Sequence, residues 1–187
     1  MFMRNQKITG VLTLIAAALV SACATTADNN SASTPTRGPN LGAVPTAAML
    51  AAMDTSIPPS GAGLPAGSGN VAQGAKVYAA KCESCHGPKG VGKPADPLVG
   101  GIGSLASGNP MRTVGSYWPY ATTFFDYVRR AMPTNAPQTL TNDEVYAVAA
   151  YVLNLNGIVP ESAVMNAQSL PQVKMPNRDG FIDYSRK

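Results

Sequence analysis

The 187-residue sequence holds one histidine, one tryptophan and three cysteines, and only 13 % of its residues are charged. One histidine cannot supply both a metal ligand and a second imidazole acid or base. Neither charge sign dominates: the formal net charge is +4, too sparse to build a basic face for a nucleic-acid backbone or a long charged tail. No apolar run reaches the roughly 20 residues of a membrane span; the longest, Ile8 to Val20, falls short of it. No segment alternates apolar and polar residues as a half-buried strand does. Abundance lies elsewhere, in 18 glycines and 16 prolines, which leave part of the chain without regular structure. The length suits one modest domain, since domains usually run to about 100–150 residues.

Arg4 and Lys7 precede the apolar run Ile8–Val20, the pattern of a secretory signal. Val20-Ser21-Ala22-Cys23 follows and resembles a bacterial lipobox, in which cleavage precedes the cysteine and the thiol is acylated. Two alternatives stay open: plain cleavage near Ala22 with Cys23 incidental, and a retained anchor helix, which Asp28, Asn29 and Asn30 oppose. All three export the chain, and lipidation of Cys23 makes it a periplasmic, membrane-anchored lipoprotein. Losing the signal lowers the formal charge to +2, because Arg4 and Lys7 leave with it. Ala24 to Gly69 contains no aromatic residue, six prolines and six glycines. Such a composition buries too little apolar surface to offset chain entropy and reads as a tether, with a possible helical turn at Ala47–Met53. As a coil it spans roughly 35–40 Å. The expected plan is a signal over 1–22, a tether over 23–69 and a domain over 70–187.

Three helices are predicted in that domain. Asn70 and Gln73 have capping-box spacing, and Val71, Ala75, Tyr78, Ala79 and Cys82 share one face. Pro119 suits the first position of a second helix with the stripe Tyr120, Phe124, Tyr127, Val128 and Ala131, ending at Met132 because Pro133 disfavours helix before it. Thr141 and Glu144 form a second capping box, with Leu140 and Val145 as its hydrophobic staple. Val145, Val148, Ala149, Val152 and Leu155 line the third helix, and Gly157 stops it. A glycine- and proline-rich loop, Gly87–Gly115, separates the first two. The class is all-α.

Cys82-Glu83-Ser84-Cys85-His86 is the c-type haem attachment signature. Two thiols at this spacing reach the two vinyl groups, and the next residue brings an imidazole to the iron. A thioredoxin-like dithiol would need a βαβ setting. A zinc site would need a second ligand pair that the chain lacks, and a disulfide fits poorly within one helical turn. With His86 used, methionine is the remaining soft ligand, and Met/His ligation raises the reduction potential. Met111, Met132, Met165 and Met175 lie beyond the motif. Met132 is favoured, since it ends a helix beside Pro133 and lies far enough along the chain to return on the opposite haem face; Met111 is the runner-up. The second ring nitrogen of His86 needs a backbone carbonyl, expected at Pro94 or Pro97, with Leu98 packing on the haem. Gly74, Tyr78 and Tyr151 suit a close helix crossing. Lys89, Lys93, Arg112, Arg129 and Arg130 are candidates for propionates or a partner, and Trp118 and Tyr120 for the haem surroundings.

The pattern Gly74-x-x-x-Tyr78-x-x-x-Cys82-x-x-Cys85-His86, the Pro97-Leu98 loop, Met132-Pro133 and the terminal amphipathic helix together resemble a class I cytochrome c over about residues 70–157. That resemblance implies three core helices around one covalent haem c, with His86 and Met132 as axial ligands and an extended C-terminal tail. The stretches Gly115–Pro133 and Leu170–Phe181 are similar to cytochrome subunits paired with molybdenum sulfite dehydrogenases, including sulfane dehydrogenase. The likeness implies an electron-transfer subunit of an oxidoreductase rather than a catalyst. It would take electrons from the molybdenum subunit and pass them to a soluble cytochrome c or an oxidase. Some relatives carry two haems, whereas one attachment motif allows one here. Rival readings are a carrier for another dehydrogenase, a haem enzyme or gas binder with a labile sixth ligand, and a lipoprotein that mainly anchors its partner.

Overall fold

The computed structural model describes residues 42–53 and 55–182. The expected signal, Cys23 and the start of the expected tether lie outside the described residues. Residues 1–46 form a unit of their own, of which 42–46 carry no helix or strand. All the elements below belong to the second unit, 47–187.

Its elements are α1 (Ala47–Met53), β1 (Ser68–Asn70), α2 (Val71–Lys81), the single turn α3 (Glu83–His86), α4 (Ala121–Ala131), α5 (Asn142–Leu155) and β2 (Val164–Asn166). Both expected capping boxes form. The Asn70 side chain accepts from the Gln73 N–H at 2.8 Å and the Gln73 carboxamide returns to the Asn70 N–H at 2.9 Å. Thr141 and Glu144 repeat the exchange at the start of α5. Helix α4 begins at Ala121 with Tyr120 as its cap, so Pro119 lies outside it rather than at its first position.

Helix α5 is the axis of the core. It is not buried on one side only: Val145, Tyr146, Ala147, Val148, Ala149, Ala150, Val152 and Leu153 are all buried, because α2, β1, α4 and β2 pack around it. A helix covered on several sides loses its single stripe, which is why Leu153 is enclosed and the expected Leu155 is only half-buried. Helix α4 shifts likewise. Phe125 is enclosed against Tyr146, ring centroids 4.4 Å apart, while Tyr127 of the expected stripe faces outward. On α2 the buried residues are Val71, Gly74 and Tyr78, and Ala79 is exposed. Gly74 carries the crossing: a Cβ there would overlap the Ala147 carbonyl and come within 2.6 Å of the Tyr151 side chain. The two backbones therefore approach closely, and Tyr78 and Tyr151 pack at 5.3 Å.

Two features depart from expectation. A short antiparallel pair joins β1 to β2 with Gly69 opposite Met165, in a chain without strand periodicity. The described residues just before the expected boundary at 69/70 are also docked on the helices. Ile57 is 3 % exposed, and its N–H donates to Asp126 at 3.1 Å. The Thr122 hydroxyl donates to the Pro59 carbonyl, the Tyr146 hydroxyl to that of Pro65, and the Ser68 N–H to Asp143. The folded unit thus reaches well upstream of residue 70. Pro58, Pro59 and Pro65 restrict the unfolded segment, so ordering it costs less than its composition suggests. At the other end Leu170, Val173 and Met175 enter the core, and the Asn177 amide donates to the Tyr117 carbonyl at 2.8 Å.

Candidate haem site

Cys82 ends α2, its N–H bonded to the Tyr78 carbonyl at 2.9 Å. It also opens α3, because its own carbonyl accepts from the N–H groups of Cys85 at 3.1 Å and His86 at 3.0 Å. One turn of helix thereby gathers both thiols and the imidazole. Cys82 is half-buried, Cys85 exposed, and neither forms a disulfide. Burial pushes the Cys82 thiol up to about 11.

The chain then reverses at Gly87, whose φ of +71° belongs to glycine. The Tyr78 hydroxyl donates to the Gly87 carbonyl at 2.8 Å; burial raises this phenol to about 12, keeping it a donor. Backbone hydrogen bonds fasten the following loop to the motif. Gly92 N–H donates to the His86 carbonyl at 2.7 Å, Ala95 N–H to that of Cys85 at 2.8 Å, and Leu98 N–H to that of Gly90 at 2.9 Å. This places the Asp96 carbonyl 2.9 Å from His86 Nδ1. A carbonyl only accepts, so Nδ1 is the protonated nitrogen and Nε2 keeps its lone pair for a metal.

The carbonyl expected at Pro94 or Pro97 is therefore that of Asp96, one residue earlier than Pro97. The proline acts from behind, since the residue before a proline is held to extended backbone. Leu98 packs on the core as half-buried apolar surface. Sequence reasoning missed Asn156. This buried side chain donates to the carbonyls of Leu98 at 3.1 Å and Val152 at 2.9 Å, and accepts from the Gly100 N–H at 3.2 Å. It ties the loop to the end of α5. Its only sequence signal was a polar residue directly before the helix-stopping Gly157.

Among the methionines beyond the motif, Met165 and Met175 are 5 % and 3 % exposed core residues, and Met111 is 44 % exposed. Met132 is half-buried against the core and caps α4, its N–H bonded to the Val128 carbonyl at 3.0 Å. Its sulfur accepts a hydrogen bond from the Thr134 hydroxyl at 3.5 Å. Trp118 is half-buried between Phe124 and Tyr127, at 5.8 and 5.6 Å. Of the cationic candidates, Arg130 is engaged by Asp126 and Arg112 lies over the Tyr117 ring. Among the described residues, no group of three or more histidine, cysteine or acidic side chains forms a metal cluster, and no helix is long and apolar enough to cross a membrane.

Residues 69–152 match the family model of cytochrome c oxidase, cbb3-type, subunit III. A solved structure, that of the sulfane dehydrogenase SoxCD from Paracoccus pantotrophus, superposes with a TM-score of 0.72 at 42 % identity, over 79 % of this chain and 73 % of that one. The chain belongs to the c-type cytochromes. Among curated proteins none matches. The class I fold expected from the sequence is the one observed, and family membership implies haem c and electron transfer. The donor set fits that group. Two free thiols within one helical turn and an imidazole with its Nε2 available supply the donors, and Met132, Leu98 and Trp118 are each partly buried against the core.

Proposed function

We propose that this cytochrome is an exported single-haem electron carrier, held covalently through Cys82 and Cys85 and ligated by His86 and Met132. The haem would supply a one-electron Fe(III)/Fe(II) couple. The protein's part is to hold the imidazole in one tautomer through the Asp96 carbonyl, to offer a neutral thioether that favours the reduced state, and to keep the surroundings apolar. The observation that supports this reading is the His86–Asp96 contact, which leaves Nε2 of the chain's single histidine available to a metal. No second imidazole remains for acid–base work at an open iron site.

The likeness to sulfane dehydrogenase supports a molybdenum-containing dehydrogenase subunit as electron donor, with a soluble cytochrome c or an oxidase as acceptor. The signal and lipobox pattern supports a periplasmic location and a lipid anchor at Cys23. Expressed in a bacterium that matures c-type cytochromes, the full chain should carry haem that survives denaturation, with the mass of one group. Replacing Cys82 and Cys85 by alanine should abolish attachment. A colourless protein with the mass of the bare chain overturns the reading. Rapid mixing with a sulfite or sulfane dehydrogenase molybdenum subunit and its substrate should reduce the haem within a turnover; failure to do so removes the partner and leaves the carrier. Replacing Cys23 by serine should release the protein to the soluble fraction.

A further inference from the structure

Met132 is followed by a tight turn whose construction has a chemical consequence. The Ala136 N–H donates to the Pro133 carbonyl at 2.9 Å, closing Pro133-Thr134-Asn135-Ala136. The Thr139 hydroxyl donates to the Ala136 carbonyl at 2.7 Å, which extends the bracing downstream. Thr134 is thus fixed one residue past Pro133, and its hydroxyl meets the Met132 sulfur at 3.5 Å. A thioether sulfur is a weak acceptor with two lone pairs. One pair can serve a metal while the other accepts a hydrogen bond.

We infer that Thr134 is a potential-setting residue, its hydroxyl withdrawing electron density from the Met132 sulfur. The inference rests on Met132 being the axial ligand, as proposed above. The hydroxyl hydrogen carries partial positive charge at the sulfur. It weakens donation to iron and costs most when the iron is Fe(III), so it favours Fe(II). Outer hydrogen bonds of this kind tune a metal through its ligands. Pro133 has no donor to offer in its place, and the hydrogen bond that the sulfur accepts comes from Thr134.

The test uses the full-length haem-bearing protein in three variants. Thr134→Val keeps the shape and removes the hydroxyl, Thr134→Ser restores a hydroxyl, and Met132→Ala removes the sulfur. Potentiometric titration with dithionite and ferricyanide reads the midpoint. The weak sulfur-to-iron absorption at the red edge reports ligation. Thr134→Val should retain that band, displaced, while the one-electron equilibrium shifts up to tenfold toward Fe(III), about 59 mV downward; Thr134→Ser should recover most of it. A merely structural threonine would change the melting temperature without moving the midpoint. If Met132→Ala loses the band and Thr134→Val leaves the midpoint within twofold of the parent, the inference is overturned and the ligand assignment stands. If Met132→Ala keeps the band, the ligand assignment itself fails, and the inference with it.

Discussion

The α2–α5 crossing and the loop that follows the attachment motif are held by opposite means. At the crossing, side chains do the work. Gly74 admits the Ala147 backbone, Tyr78 packs on Tyr151, and α5 is buried along most of its length. In the loop, half-exposed side chains stand on a backbone tied down by its own N–H and C=O groups, from Gly92–His86 through Ala95–Cys85 to Leu98–Gly90. The division is physically sensible. Side chains that are to hold a large planar group, as proposed for Cys82, Cys85 and His86, must stay accessible to it, so packing against protein cannot fix them, and backbone hydrogen bonds would set their geometry instead. The crossing has no such duty and can be close-packed.

Breaking the crossing should therefore cost the most. Gly74→Val places a branched Cβ against the Ala147 carbonyl, a backbone group that cannot give way as a flexible side-chain end could. We expect a loss of about 3 kcal/mol, the upper end for overpacking, measurable by denaturant titration of the haem-bearing protein. A loss below about 1 kcal/mol would show that α2 and α5 can slide apart, and that the contrast between the two regions is overstated. Next comes the joint between them. Asn156→Leu strips the Gly100 N–H of its partner and takes one of two donors from the Leu98 carbonyl, which keeps the Val114 N–H at 3.2 Å, at about 1–3 kcal/mol. Because those groups lie in the loop that carries Asp96, the midpoint potential should move along with stability. A stability loss with an unmoved midpoint would make Asn156 part of the crossing alone.

Local features were legible from residues alone. Both capping boxes involve residues three apart, and each formed as its spacing required; the Cys82–His86 pentapeptide lies on a single helical turn. Pairings across the chain were not legible. Nothing around Ile57, a lone large apolar residue among Pro58, Pro59 and Ser60, reveals that Asp126 will receive its N–H. Gly69 pairs opposite Met165 without any alternation to announce a strand. The Asp96 carbonyl was missed by a single residue, because which carbonyl faces the imidazole depends on three loop hydrogen bonds rather than on the prolines beside it. The helix faces were displaced for a related reason: a stripe marks one buried side, and α4 and α5 are covered on more than one.

The smallest expected effect concerns the start of α5, where the contrast predicts a purely local loss. Thr141→Ala removes the side chain that accepts from the Glu144 N–H at 3.2 Å, which should cost about 1 kcal/mol as N-cap losses do. Glu144 makes the effect pH-dependent. Its carboxyl is held below the usual carboxylate range, first by the Thr141 backbone N–H and also by Lys81 at 3.0 Å. A carboxyl whose pKa is lower in the folded state stabilises the fold above its unfolded pKa and loses that contribution as pH falls through the folded value. Glu144→Gln should accordingly flatten the acid limb of the stability curve below about pH 4–5 while leaving the haem spectrum and midpoint unchanged. The Lys81 bridge ties α5 to the last residue of α2, immediately before Cys82. A shifted midpoint in Glu144→Gln would mean that this exposed pair reaches the attachment motif, and that the crossing and the ligand loop are less separate than their means of support imply.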